Sequence, residues 1–314
     1  MPSQTPVGPL AAIDLGSNSF RLEIGQFEHG RYRRIDYLKE TVRLGSGLDA
    51  DGRLTEQAAT RGLECLARFA RRLQGFEPWQ VRAVATQTLR EASNRDEFLD
   101  RAREAIDHPI EVISGREEAR LIYAGVHYLQ PSSKRRLVID IGGRSTELIL
   151  GRGRVPREAE SFGTGCVGLS MRYFPEGRIT ADTFRAAQIA AGAEFEESLD
   201  TFRSDRWVEA LGSSGTVGAL AQLLAAEGIT DGRITPQSLA WCIERCIAAG
   251  HVDKLAFRTL KPERRAVIPG GIAILYTLCA MLGIRELTAA RGALRQGVIV
   301  ELDARLRAAR TPRP

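Results

Sequence analysis

One short motif is written twice in this chain. Ile13-Asp14-Leu15-Gly16-Ser17-Asn18-Ser19 and Ile139-Asp140-Ile141-Gly142-Gly143-Arg144-Ser145 each close an apolar run. Each then leads into a second run, Leu22-Glu23-Ile24-Gly25 and Leu148-Ile149-Leu150-Gly151. The Asp, the first Gly, the Ser and the last Gly keep a constant offset of 126 residues. A strand that ends in an acid, turns on small residues and returns antiparallel exposes backbone N–H groups that can cradle phosphate. The acid beside them can hold a divalent cation. Two such loops facing each other would clamp a polyphosphate chain from both sides.

The flanking residues repeat as well. Strands are expected near Leu10–Leu15, Arg21–Phe27 and Arg31–Val42, with Glu28-His29-Gly30 as the hairpin between the last two. A helix starts at Thr55, with Leu63, Leu66, Phe69 and Leu73 at helical spacing. Val81–Ala85 reads as a buried strand running into Thr86-Gln87-Thr88-Leu89-Arg90. A helix around Arg95–Ile106 and a strand at Ile110–Ile113 follow, and Ser114-Gly115-Arg116-Glu117-Glu118 opens another helix. The second half restarts with strands at Leu137–Ile141, Glu147–Leu150 and Val155–Ser161, then helices and a strand at Trp207–Leu211. That strand ends in Gly212-Ser213-Ser214-Gly215-Thr216, a turn that opens a helix as an anion site would. Leu220 to Met281 reads as mostly helical, before a strand at Glu286–Ala289, the Arg291–Arg295 turn and a last helix. Beyond Leu306 the tail is expected to fray.

Two halves, each a β-meander followed by helices and led by an Asp-Gly loop, resemble the duplicated fold of actin, hexokinase and the heat-shock chaperone ATPases. The expected class is α/β, with two actin-like (ribonuclease H-like) domains around an interdomain cleft. The domains would span 1–130 and 131–314, divided near Pro131-Ser132-Ser133, with the last helix crossing back onto the first domain.

Composition removes several alternatives. The five cysteines, Cys65, Cys166, Cys242, Cys246 and Cys279, lack zinc-site spacing and read as core filler in a reducing cytoplasm. Met1 to Leu10 shows no secretory pattern. Ala266 to Ile284 is nearly free of polar groups, but Pro269-Gly270-Gly271 splits it below spanning length, so a buried helix is expected. Only four of the 44 basic residues are lysine. Arginine suits bidentate phosphate contacts, although codon usage accounts for most of that excess. Neither nucleic acid nor membrane is an expected partner.

Within this superfamily the chain resembles the exopolyphosphatase/guanosine pentaphosphate phosphohydrolase (Ppx/GppA) family from about Ala11 to Glu301. The resemblance rests on Asp14 through Phe20, Thr86 through Arg90, Ile113 through Ile122, Asp140 through Glu147, Gly212 through Thr216 and Gly292 through Gly297. It implies Mg²⁺-dependent hydrolysis of a terminal phosphoanhydride in inorganic polyphosphate or guanosine pentaphosphate. Arg144 replaces the family's usual small residue, and Gln296 stands where Glu is common. The chain also stops at Pro314, where longer members continue into a helical half with an HD-type module. A short form of this kind is expected to act distributively on long polyphosphate. Its oligomeric state, a homodimer included, is not set by the sequence.

Site roles follow from the resemblance and the residue chemistry together. Glu118 is expected as general base, at a helix start where a carboxylate can orient or deprotonate water. Asp140 and Arg90 would join it in catalysis. Asp14, Asp140 and Glu147 are the candidates for Mg²⁺, which takes few protein carboxylates. For each of them the alternative is an acid that merely caps its own turn. Gly16, Ser17, Asn18, Ser19, Gly142, Gly143, Arg144 and Ser145 are expected to contact phosphate. So are Ser213, Ser214, Gly215 and Thr216, with an ordinary helix cap as the alternative there. Arg264, like Arg90, resembles a phosphate-binding arginine, against a surface ion pair as the plainer reading. Two rival functions remain open at this stage. One is an ATP-dependent kinase of the same superfamily, and the other is a guanosine tetra- or pentaphosphate sensor with little turnover.

Overall fold

The computed structural model describes residues 8–310. The leader reading therefore falls mainly on residues outside the described ones. The first half runs β1 (Leu10–Leu15), β2 (Phe20–Glu28), β3 (Arg31–Glu40), α1 (Glu56–Arg72), β4 (Val81–Ala85), α2 (Gln87–Glu91), α3 (Arg95–Ile106), β5 (Ile110–Val112) and α4 (Gly115–Leu129). The second half begins with β6 (Arg135–Ile141), β7 (Thr146–Arg152), β8 (Val155–Phe162), α5 (Cys166–Tyr173), α6 (Ala181–Phe195), β9 (Glu209–Gly212) and α7 (Gly215–Ala226). It continues through α8 (Pro236–Ala249), α9 (Pro262–Arg265), α10 (Ile268–Leu282) and β10 (Leu287–Ala289), and α11 (Leu294–Arg310) ends the described chain.

Each half builds one five-stranded sheet, and the two sheets have the same order. They read β3-β2-β1-β4-β5 and β8-β7-β6-β9-β10. In both, the meander strands pair antiparallel and the last two strands join parallel. Both meanders also shift register at the repeated glycine, between Ile24 and Gly25 in β2 and between Leu150 and Gly151 in β7. Glycine is required at position 25, because a Cβ there would run into the Tyr32 ring. The duplication thus extends from the Asp loops to the bulges and the crossovers. It is an α/β fold of two actin-like halves.

The described residues up to Leu129, together with those from Gly292 onward, form one unit, and Gln130–Arg291 forms the other. Helix α11 belongs with the first unit because its backbone lies directly on α4. A Cβ on Gly297 would overlap Leu121 O, one on Gly125 would overlap Ala293 O, and one on Gly292 would overlap Gly125 O. Each unit carries its own apolar core, around Ile13, Leu22, Leu66 and Phe69 in the first and around Ile139, Phe184, Leu220 and Leu278 in the second.

Two expectations change. Pro269-Gly270-Gly271 does not split the apolar stretch but forms the first turn of α10, where proline needs no N–H partner. The glycines there admit close neighbours: Gly270 N–H donates to Ser170 Oγ at 3.0 Å, and a Cβ on Gly271 would overlap the Thr216 methyl. No helix among the described residues is long and apolar enough to cross a membrane. The C-terminal helix does not fray at Leu306 but runs to Arg310, with Arg307 Nε 2.7 Å from Asp303 Oδ2 one turn back. Residues 311–314 lie outside the described ones.

Gly297→Ala tests the backbone contact. Alanine gains about 1 kcal/mol over glycine in helix propensity. Forcing a methyl into a rigid carbonyl costs about 1–3 kcal/mol or more. The overlap is expected to win, so the urea midpoint should fall, whereas an exposed helical glycine changed to alanine would raise it.

Candidate active site

In the first unit Glu118 lies in the first turn of α4. Its position follows from local chemistry: Ser114 opens the helix, with Ser114 Oγ accepting from Glu117 N–H at 3.2 Å and Ser114 O accepting from Glu118 N–H at 2.9 Å. The carboxylate is 8% exposed, and its Oε2 accepts from Arg90 Nη1 at 2.9 Å. Burial pushes its pKa up to about 7, against the pull of Arg90 and with a further push from the Asp14 charge. Its neighbour Glu117 behaves differently. Arg120 holds it in a two-pronged pair at 2.7 and 2.8 Å and lowers its pKa.

Arg90 is engaged on every side. Besides Glu118, it donates from Nη1 to Ile113 O at 2.9 Å and from Nε and Nη2 to Gln87 Oε1 at 3.0 and 2.5 Å. The structure therefore places the guanidinium on the candidate base.

Asp14 sits between two guanidinium groups. Its Oδ2 accepts from Arg21 Nη1, its cross-strand neighbour, at 3.1 Å, and from Arg295 Nη1 at 3.5 Å. Two residues from Arg21, on the same face of β2, Glu23 is fully buried. Gln296 Nε2 donates to both Glu23 carboxylate oxygens at 2.7 and 2.6 Å, Arg295 Nε donates at 3.2 Å and Tyr32 Oη at 2.5 Å. The Gln296 carbonyl also accepts from Ala293 N–H at 2.9 Å, which caps α11. Gln296 is thus an internal clamp between α11 and β2. Sequence reasoning passed over Arg21, Glu23 and Arg295. Alternating polar residues on β2 look like a solvated face until α11, more than 270 residues later, covers them.

In the second unit Asp140 and Glu147 are direct cross-strand partners on β6 and β7, so their carboxylates share one face of the sheet. Glu147 is 1% exposed, and its Oε1 accepts from Ser161 Oγ at 2.8 Å. Two hard oxygen donors side by side suit Mg²⁺, which keeps most of its water. Among the described residues no group of three or more His, Cys, Asp or Glu is gathered for a metal ion. The donor set fits Mg²⁺ at Asp140 and Glu147 better than at Asp14, which already faces two guanidinium groups.

The two Asp loops share one geometry. A Cβ on Gly16 would lie 3.0 Å from Ser19 O, and one on Gly142 would lie 3.1 Å from Ser145 O. In both, the carbonyls are tied outward. Ser17 O accepts from Gly45 N–H and Asn18 O from Arg43 N–H, at 2.7 and 2.9 Å. Gly142 O accepts from Cys166 N–H at 2.9 Å, and Gly143 O from the N–H groups of Val167 and Gly168 at 2.8 and 3.1 Å. A trans peptide points its N–H opposite its carbonyl. The N–H groups of Asn18 and Ser19, and of Gly143 and Arg144, are therefore aimed away from these ties, as an anion cradle requires. Close packing fixes the second loop further, because a Cβ on Gly165 would fall 2.6 Å from Gly143 O. Arg144 lines a cavity of about 400 Å³ with Thr164, Gly165, Arg172, Tyr173 and Glu194.

The third loop divides its residues between roles. Ser214 Oγ caps α7, accepting from the N–H groups of Thr216 and Val217 at 3.2 Å each. Thr216 Oγ1 donates to Ile141 O at 3.3 Å, and Ser213 N–H to Ile139 O at 2.8 Å. These bonds meet the helix-cap reading for the Ser214 hydroxyl. Arg264 is brought to the same place, since a Cβ on Gly215 would sit 2.6 Å from its Nη2. The five cysteines are buried and free, as core filler should be.

These features are those of an α/β protein built from two duplicated halves, and the comparisons with known proteins place it in a family. The sequence profile of the Ppx/GppA phosphatase family matches residues 24–305. A Haemophilus influenzae protein named "Putative exopolyphosphatase" is 42% identical over 297 residues, covering 95% of this chain and 92% of that protein. A solved structure of the Aquifex aeolicus Ppx/GppA enzyme is similar at 27% identity and a TM-score of 0.76, covering 93% of this chain and 99% of that one. A solved exopolyphosphatase from Cytophaga hutchinsonii shares the fold, at 24% identity and a TM-score of 0.85, with 94% and 98% covered. The chain belongs to the Ppx/GppA phosphatase family.

Gln296→Glu probes the buried clamp. It removes the two hydrogen bonds from Gln296 Nε2 to Glu23 and sets two carboxylates against each other in the core. Stability at about pH 8 should fall by about 3–5 kcal/mol. The loss should shrink as pH falls, because the pair can then share a proton. Thermal melts of variant and parent across pH measure both effects, and a pH-independent difference would contradict the clamp.

Proposed function

We propose that this chain hydrolyses the terminal phosphoanhydride bond of inorganic polyphosphate or guanosine pentaphosphate, releasing orthophosphate, with Mg²⁺ and with Glu118 as general base. The observation that carries this reading is Glu118 itself: a buried carboxylate at a helix start, oriented by a single guanidinium, with its pKa pushed up to about 7. A carboxyl at the ordinary 4.5 is a weak base at neutral pH. One near 7 takes a proton from water far more effectively while still being largely ionised just above neutrality.

In this mechanism water attacks the terminal phosphorus as its proton passes to Glu118 Oε1 or Oε2, and the bridging P–O bond breaks to leave the shortened chain. The Asn18, Ser19, Gly143 and Arg144 N–H groups bind phosphate oxygens, and Arg264 beside Gly215 adds a cation to the third loop. Asp140 and Glu147 are the residues that would hold Mg²⁺, whose charge offsets that on the phosphoryl oxygens. The family and the name of the Haemophilus relative support the substrate class.

The experiment is phosphate release from polyphosphate and from guanosine pentaphosphate, measured side by side across pH and Mg²⁺ concentration. Glu118→Gln should lower turnover by roughly a hundredfold or more with binding kept. The base works only when ionised, so turnover in the parent should be lost as pH falls through about 7. A parent profile flat from about pH 5 to about pH 8 would exclude Glu118 as base. Separately, Asp140→Asn should raise the Mg²⁺ concentration for half-maximal activity, because one ligand charge is lost. An unchanged Mg²⁺ dependence would leave Asp140 as a turn cap.

A further inference from the structure

The shortest contact of Arg90 lies within its own helix. Gln87, one turn earlier on α2, accepts from Nε at 3.0 Å and from Nη2 at 2.5 Å through one amide oxygen. That amide is itself oriented, because Gln87 Nε2 donates to Glu91 Oε1 at 2.6 Å. With Ile113 O taking Nη1 from the other side, the remaining direction of Nη1 is fixed on Glu118 Oε2. An arginine beside bound phosphate would otherwise be drawn to the substrate, since a polyphosphate offers more negative charge than one carboxylate.

We propose that Gln87 is a positioning residue for the hydrolytic step: its amide oxygen restrains the Arg90 guanidinium so that Arg90 stays on Glu118 when the anionic substrate arrives. The inference rests on the reading of Glu118 as the base. Without the restraint, Arg90 leaves for the phosphate, Glu118 loses both its orientation and the nearby positive charge, and the base is protonated at a higher pH.

The charges around Glu118 isolate this effect. Arg90 on α2 is the cation that bonds it, and Asp14 on β1 is the acid that opposes its ionisation. Asp14 is itself held by Arg21 on β2 and Arg295 on α11. Of the other charges near the start of α4, Arg116 is exposed, Glu117 pairs with Arg120 and Arg82, and Glu301 of α11 pairs with the same two arginines. Arg82 also pairs with Glu111 of β5 at 3.0 Å. None of these contacts involves Gln87.

The test uses Gln87→Leu, which keeps the size of the side chain and removes the acceptor, and Gln87→Glu made together with Glu91→Gln, which keeps both the acceptor and an amide donor to orient it. With Mg²⁺ and inorganic tripolyphosphate, kcat and KM are measured from about pH 5.5 to about pH 9. Gln87→Leu should lower kcat about tenfold with KM unchanged or lower, and should move the acid limb upward by about half a unit. The double variant should restore kcat above the limb. The proposal is overturned if Gln87→Leu leaves kcat and the limb in place, or if the double variant is as impaired as Gln87→Leu. Glu118→Gln, run in parallel, separates the two claims. Parent-like turnover in that variant removes the base itself, whereas an inactive Glu118→Gln beside an unaffected Gln87→Leu removes only the role of Gln87. Gln87 is partly exposed on a short helix, and a thermal melt confirms that each variant is folded.

Discussion

The contact of α4 with α11 is backbone against backbone, and the first unit's site depends on it. Gly125, Gly292 and Gly297 leave no side chain at the crossing, so peptide groups of the two helices touch directly. Such a contact has little freedom to slide, because a shift of either helix drives a carbonyl into a Cα. The helix that carries Glu118 is thereby indexed to the helix that carries Arg295 and Gln296. Those two residues in turn hold Glu23 and Asp14 at the end of the first meander. Glu118, the arginines that hold Asp14 and the Asp14 loop are thus connected through the two ends of the chain.

The duplicated frame carries different chemistry in its two copies. The residue opposite the loop acid is Arg21 in the first copy and Glu147 in the second. One substitution in register turns an acid neutralised by guanidinium groups into a pair of carboxylates suited to a divalent cation. The loops keep the same close approach of the first glycine to the serine carbonyl, and they share one tied carbonyl, Ser17 O in the first and Gly143 O in the second. The two copies thus share a sheet order but differ in charge: the first unit carries a buried carboxylate raised toward neutrality, and the second a cross-strand carboxylate pair.

Much of this was legible from residue pattern. Small residues after an Asp dictate the turn, alternation dictates the meander, and a serine before two glutamates dictates a helix start, so Asp14, Asp140 and Glu118 could be marked without coordinates. What misled was local reading of segments whose environment is remote. Pro269-Gly270-Gly271 looks like a break, yet it opens α10 because Ser170 and Thr216 need glycine beside them. Gln296 gives no local sign of its role, yet its amide holds Glu23 of β2.

The sequence by itself determined the two halves, the order of strands, the three small-residue loops and the family, since each is written in contiguous residues whose local preferences agree with the final fold. Only the tertiary structure decided which charges meet. Glu23 and Gln296 are 273 positions apart, and Glu118 and Arg90 are 28 apart. The pKa of a carboxylate depends on burial and on neighbours a few ångströms away, and those are set by how helices and strands pack. That is why the chemistry of Glu118 could be suspected from its place in the chain, but its elevated pKa and its restrained arginine came into view only in the folded protein.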